Sequence, residues 1–248
     1  MAKTPAPKPS KLIYQVQIKP ELGFFDLVRN AAAQLSGYPD WETDGLSVVL
    51  KDTAKRRSLA LRHNAVTYDQ DTDDPTDEET GIKQVEEALT YLKIKSAVRF
   101  GFRRFYLASV NGTYDELVAL TNLKLLSQDE KLLSLLPPKI EDLFYRIDGS
   151  DDKNQYRLMA GPIKRDQIPQ WIPFNKDANF DAKTKEQTYA EVLASCPEIA
   201  VFGDVDVFRK SDGLAITDAT QFVHEARLAA DKLMRDLNQY IFSIKIEA

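Results

Sequence analysis

Apolar and polar residues alternate from Leu12 to Ile18, with Leu12, Tyr14, Val16 and Ile18 on one face and Gln15 and Gln17 on the other. A period of two is that of a half-buried strand, and Pro20 ends it. From Leu22 to Leu35 the period lengthens. Phe24, Phe25, Leu27, Val28, Ala31, Ala32 and Leu35 form the broad apolar stripe of a helix, and Gly37 is its stop signal. Leu46 to Tyr68 predicts a three-strand meander with polar turns at Asp52 to Lys55 and at Asn64. Asp69 to Thr80 holds seven acids, no base and Pro75, the composition of a solvated loop. Ile82 to Leu92 resumes a helical period.

Ala97 to Leu107 reads as a strand whose pattern changes midway: Val98, Phe100 and Phe102 share a face, then the apolar set shifts to Phe105 and Leu107. A one-residue slip of that kind predicts a bulge near Arg103 and Arg104. Helical patterns follow at Tyr114 to Leu126 and Ser127 to Leu136, stopped by Pro137 and Pro138. A hairpin is expected from Leu143 to Ile147 and Gln155 to Ala160, turning through Asp148 to Asn154, and an irregular stretch from Gly161 to Lys183. After a short helix at Thr188 to Ala194 comes a strong strand, Ile199 to Phe208. Thr217 to Phe242 then carries one apolar stripe through Ala219, Phe222, Val223, Ala226, Ala229, Leu233, Leu237 and Ile241, with Thr217 and Asp218 as N-cap candidates. At 1.5 Å per residue that helix runs about 39 Å, long enough to cross a sheet.

Strands come in blocks rather than in strict alternation with helices. That arrangement predicts an α+β fold with mainly antiparallel sheet, helices packed on one face and a long C-terminal helix. The expected division is a disordered Pro-rich tail (1–10), an N-terminal α+β half (11–136) and a C-terminal α+β half (139–248), or one continuous domain.

Composition narrows the chemistry. The 248 residues carry a formal net charge of -5, one Cys (Cys196) and two His (His63, His224). These cannot supply an internal disulfide or a typical zinc site. No signal-like or membrane-spanning apolar run occurs, so the reading is a cytoplasmic protein without membrane attachment. An acidic chain is the opposite of the usual nucleic-acid footprint. It leaves two local basic clusters, Lys51, Lys55, Arg56, Arg57 and Arg62 on the meander and Lys93, Lys95, Arg99, Arg103 and Arg104 beyond it, with Lys55, Arg56 and Arg57 as the candidate nucleic-acid contacts. Phosphate-loop, dinucleotide and nucleophile-elbow motifs are absent.

Three groups remain. Asp204 and Asp206 share one face of the last strand about 7 Å apart, the spacing of a pair that holds Mg²⁺ for phosphoryl or nucleotidyl transfer. Arg99 and Arg103 flank Gly101 on one face, with Arg104 on the other face or in a bulge. They either grip an anion or pair internally with Asp204 and Asp206. A third acid converging on the aspartates would favour the metal, and arginines there the ion pairs. Trp171, between Pro169 and Pro173, and Phe174 are interaction candidates, or plugs over a core edge.

The early strand, the segment RFGFRRFY (Arg99 to Tyr106), the late strand with Asp204 and Asp206 and the last helix together resemble a family of sporadically distributed bacterial proteins of about this length, of uncharacterised function. A patchy distribution implies accessory, partner-binding roles. The resulting expectation is a non-catalytic binding or assembly protein without a cofactor, acting with a protein partner or by self-association, as an accessory subunit of a bacterial defence or toxin–antitoxin-like system. The alternative is a divergent Mg²⁺-dependent nucleotidyl- or phosphoryl-transfer enzyme using Asp204 and Asp206.

Overall fold

The computed structural model describes residues 4–20, 23–71, 74–125, 140–174 and 190–243. In chain order these form β1 (Lys8–Gln17), α1 (Phe24–Gln34), β2 (Asp40–Thr43), β3 (Ser47–Asp52), β4 (Arg57–Arg62), β5 (Ala65–Gln70), α2 (Pro75–Tyr91), β6 (Ser96–Ser109) and α3 (Tyr114–Leu125). Then come β7 (Tyr145–Ser150), β8 (Gln155–Lys164), α4 (Ile168–Trp171), β9 (Ile199–Ala215), a 3₁₀ turn (Ile216–Asp218) and α5 (Ala219–Phe242). All nine strands join one sheet in the order β2-β3-β4-β5-β1-β6-β9-β8-β7, and every pairing is antiparallel. The fold is α+β with a long C-terminal helix.

The sheet order carries an internal symmetry. In the first half the leading strand β1 pairs with the trailing strand β5, and in the second β6 pairs with β9. The remaining strands of each half fan out to an edge, and the helix after the trailing strand (α2 or α5) packs back on the sheet. These halves, β1 to α2 and β6 to α5, join through β1 and β6 at the centre, and the pairing of β6 with β9 places 11–136 and 139–248 in the same sheet. Residues 126–139, including Pro137 and Pro138, lie outside the described residues.

The strand period decides which face is covered. Leu12, Tyr14 and Val16 of β1, Val66 and Tyr68 of β5, Phe100, Phe102 and Tyr106 of β6 and Val205 and Val207 of β9 are buried with Val28, Leu89, Phe222, Ala226 and Met234 in one core beneath α1, α2 and α5. Met234 lies directly over Gly203, where a Cβ would overlap its thioether, so this glycine lets α5 sit close to β9. The buried stripe of α5 runs through Ala230, Met234 and Asn238 rather than Ala229. Asp218 stands at the N-cap but makes no side-chain capping bond.

Four sequence expectations change. β1 starts at Lys8, inside the stretch read as a disordered tail, because Lys8 and Pro9 pair with Leu107 and Tyr106. The acidic stretch is not all loop: α2 starts at Pro75, and Glu78 is buried at 1 % exposure because Arg104 and Arg227 reach it. β8 extends to Lys164 through Pro162, which pairs opposite Val201. No bulge interrupts Arg103 and Arg104; register runs unbroken with β9 from Arg99 to Ser109 and with β1 from Arg99 to Phe105, and the irregularities lie at Ala97–Arg99 against β9 and at Pro9–Lys11 of β1.

The shift in apolar pattern along β6 has a different cause. Phe105 and Leu107 point to the opposite sheet face, where they meet Phe202, Ile163, Ile168, Ile172 and Cys196 in a second core. That face is covered at one end by α4 and by the helical residues 190–195.

Candidate functional site

The rest of the second face bears no helix among the described residues. Across its middle, register aligns Ile13, Gln15 and Gln17 of β1, Arg99, Gly101 and Arg103 of β6, and Asp204, Asp206 and Phe208 of β9. Arg157 of β8 stands opposite Asp206, and Asp148 of β7 opposite Arg157. A row of alternating charges runs across the strands.

The two aspartates are engaged by the two arginines. Arg103 donates from Nε to Asp204 Oδ1 at 2.8 Å and from Nη2 to Asp204 Oδ2 at 2.6 Å, a fork-to-fork pair of the strongest kind. Arg99 Nη2 lies 3.2 Å from both oxygens of Asp206, and Arg99 Nη1 donates to Gln15 Oε1 at 3.3 Å. Arg99 reaches Asp206 by lying across Gly101, where a Cβ would overlap its guanidinium, and it stacks 4.8 Å from the Phe208 ring centre. The open spot beside Gly101 is filled by the protein's own arginine.

Electrostatics follow the geometry. The hydrogen bonds to Asp204 hold the Arg103 guanidinium above its ordinary range. Burial pushes the Asp206 carboxyl up, against the pull of Arg99 and Arg103. No third acid joins the pair, and no group of three or more His, Cys, Asp or Glu side chains able to hold a metal occurs among the described residues. The oxygens that Mg²⁺ needs are already accepting from guanidinium groups.

Arg104, one residue on, faces the other way. It is 3 % exposed on the covered face, paired with buried Glu78 and, from Nη1, with Asp231 Oδ1 at 2.8 Å. The Tyr106 hydroxyl donates to the same Asp231 oxygen at 2.8 Å. The three arginines therefore form no common anion grip.

A second charged group went unread in the sequence. Lys11, with a fully buried side chain, is held by Asp69 and, at 2.9 Å, by Asp71. Asp69-x-Asp71 has the same spacing as Asp204-x-Asp206, which in an extended segment puts both carboxylates on one face. That spacing was the available signal, but it lay within a stretch read as loop.

The other candidates pack within the fold to differing extents. Trp171 stacks on Phe144 with ring centres 4.4 Å apart and lies 6.1 Å from Phe202; Phe174 packs on the same cluster. Trp171→Ala is expected to lower stability by about 2 kcal/mol, the cost of a half-buried aromatic plug, in a urea titration. An unchanged midpoint together with lost partner binding would instead make it a contact residue. Of the basic cluster, Arg57 is buried against Asp52 at 3.2 Å, the Gly37 carbonyl at 2.9 Å and the Tyr38 ring. Arg56 sits at a turn with φ 49 and leaves Lys55 as its exposed neighbour. Cys196 is buried, donates to the Val192 carbonyl at 3.3 Å, and burial pushes its thiol up, away from nucleophilic use. His63 lies in the β4–β5 turn, and His224 is exposed on α5.

No family model and no curated protein matches the chain. Among solved structures it is similar to Methanococcus jannaschii TBP, over 92 % of this chain and 99 % of that one, at 11 % identity and a TM-score of 0.31. A similarity at that level says nothing about what this chain binds. No described helix is long and apolar enough to cross a membrane.

Proposed function

We propose that the chain is a non-catalytic binding and assembly protein whose working surface is the sheet face that no described helix covers. One observation carries the reading: the best candidate for catalytic carboxylates, Asp204 and Asp206, is held by Arg103 and Arg99. The face is partly exposed and carries charges of both signs, with Gln15, Gln17, Arg103 and Arg157 at its surface. Paired charges of both signs suit a protein surface of matching pattern better than a polyanion, which would meet the aspartates as well as the arginines. An accessory role in a bacterial defence or toxin–antitoxin-like system is the biological setting we attach to it, on the resemblance described above.

The test is gentle purification of the protein tagged at its own locus, with identification of whatever co-elutes. A stoichiometric second protein, lost when Arg157→Glu and Gln15→Glu are introduced without loss of fold, is the expected result. Absence of any second protein from the wild-type preparation would overturn the reading.

A further inference from the structure

The geometry points to self-association of this chain through β7, which pairs antiparallel with β7 of a second copy about a twofold axis at Ile147. This goes beyond the assembly reading, because it requires no second protein and uses a sheet edge rather than the open face.

β7 ends the sheet, and no described strand pairs with its outer side. Its backbone is set for pairing. The Asp151 N–H donates to the Asn154 carbonyl at 3.0 Å, closing the hairpin as a hydrogen-bonded pair. Antiparallel ladders alternate, so Gly149, Ile147 and Tyr145 exchange bonds with β8. The amide and carbonyl groups of Arg146, Asp148 and Ser150 point outward. A row of outward backbone groups is a template for another strand.

The side chains choose the partner and the register. Backbone alternation allows a twofold only at a residue, not between two. Centred on Ile147, the pairing sets Arg146 opposite Asp148 of the second copy and Asp148 opposite its Arg146. Both pairs lie on the open face, and the two Ile147 side chains meet on the other. Centring on Arg146 or on Asp148 sets like charges face to face, which is destabilising. Ile147 is 55 % exposed, a large apolar side chain beyond the cover of the helices. Arg146 and Asp148 are each half-exposed; within one chain Asp148 accepts from Arg146 at 2.8 Å and from Arg157 at 2.9 Å, and in the pairing it also faces Arg146 of the second copy. The opposite edge does not invite the same contact: β2 has four residues, and self-pairing centred on any of them sets acid against acid, Asp40 against itself, Asp40 against Glu42, Glu42 against itself or Glu42 against Asp44. One edge is self-complementary and the other self-repelling, so the pairing closes as a dimer instead of growing into a fibre.

Sedimentation equilibrium tests this. The wild-type protein is expected to move from 28.1 kDa to twice that mass as concentration rises. Arg146→Asp and Asp148→Arg, each folded by circular dichroism, are expected to stay at the single-chain mass. An equimolar mixture of the two variants is expected to return to the doubled mass, because each then opposes only unlike charges. Hydrogen exchange of the wild type supplies a reading independent of variants: the Arg146 and Asp148 amides gain protection with concentration, and the Ile147 amide does not change. A wild type that stays single, a dimer indifferent to both reversals, or a mixture that fails to re-associate would each overturn the inference. None of these outcomes bears on whether a second protein co-purifies.

Discussion

Arg104→Met is expected to destabilise the protein by about 3–5 kcal/mol, the range found when one member of a buried ion pair is removed. The replacement keeps most of the volume, so a cavity is not the cause. Glu78 is 1 % exposed and its nearer cation is Arg104; Arg227 stands 3.8 Å away and Asp231 is partly solvated. Without Arg104 the Glu78 carboxylate stays buried without its closest counter-ion. Burial already pushes its carboxyl up from the ordinary carboxylate range, so in the variant it takes up a proton more readily and the loss is smaller at pH 5 than at pH 8. Adding Glu78→Leu should recover more than half of the loss. Urea titration of the single and double variants at both pH values decides the matter, and a single variant within about 1 kcal/mol of wild type would contradict the assignment.

The second large effect is a pH dependence from Asp71. Burial pushes its carboxyl up to about 6 from 3.8, despite the pull of Lys11. The neighbouring Asp69 adds to it: one buried lysine is shared by two carboxylates, so a single proton on Asp71 leaves a neutral Lys11–Asp69 pair. The folded value lies above the unfolded one. Between pH 4 and pH 6 the native state therefore binds more protons, and this contribution to stability falls as pH rises through that window. The difference is on the order of 2 kcal/mol between its ends. Asp71→Asn, whose amide oxygen can still accept from Lys11, should remove that slope and leave the variant at least as stable as wild type at pH 8. A carbon-detected titration of the Asp71 carboxyl with its midpoint near 4 would contradict the account.

Both effects arise where the sequence misled, and for related reasons. A strand's own alternation shows which residues share a face but not what lies over that face. The pattern from Leu12 to Ile18, the β3–β5 meander and the stripe of α5 from Ala219 to Met234 were legible because each buries mainly in one continuous core. β6 was not, because cores form on both sides of it: Phe100 and Phe102 enter one and Phe105 and Leu107 the other, which mimics a slipped register. Asp69, Asp71 and Glu78 looked solvated because their cations are remote in sequence, Lys11 on β1, Arg104 on β6 and Arg227 on α5. Arg99 and Arg103 could be placed beside Asp204 and Asp206 once both runs were read as strands, but their adjacency depends on β6 and β9 being neighbours, a property of topology alone.

The central claim is that Asp204 and Asp206 are members of an ion-pair row and not the seat of a metal-dependent reaction. The most direct measurement is Mn²⁺ titration, followed by paramagnetic broadening of the amide signals of Asp204 and Asp206. The account predicts no saturable broadening at this strand in the millimolar range, and the same response for wild type and Asp204→Asn. Saturable broadening centred on Asp204 and Asp206, abolished by Asp204→Asn, would contradict it and return the open sheet face to phosphoryl-transfer chemistry.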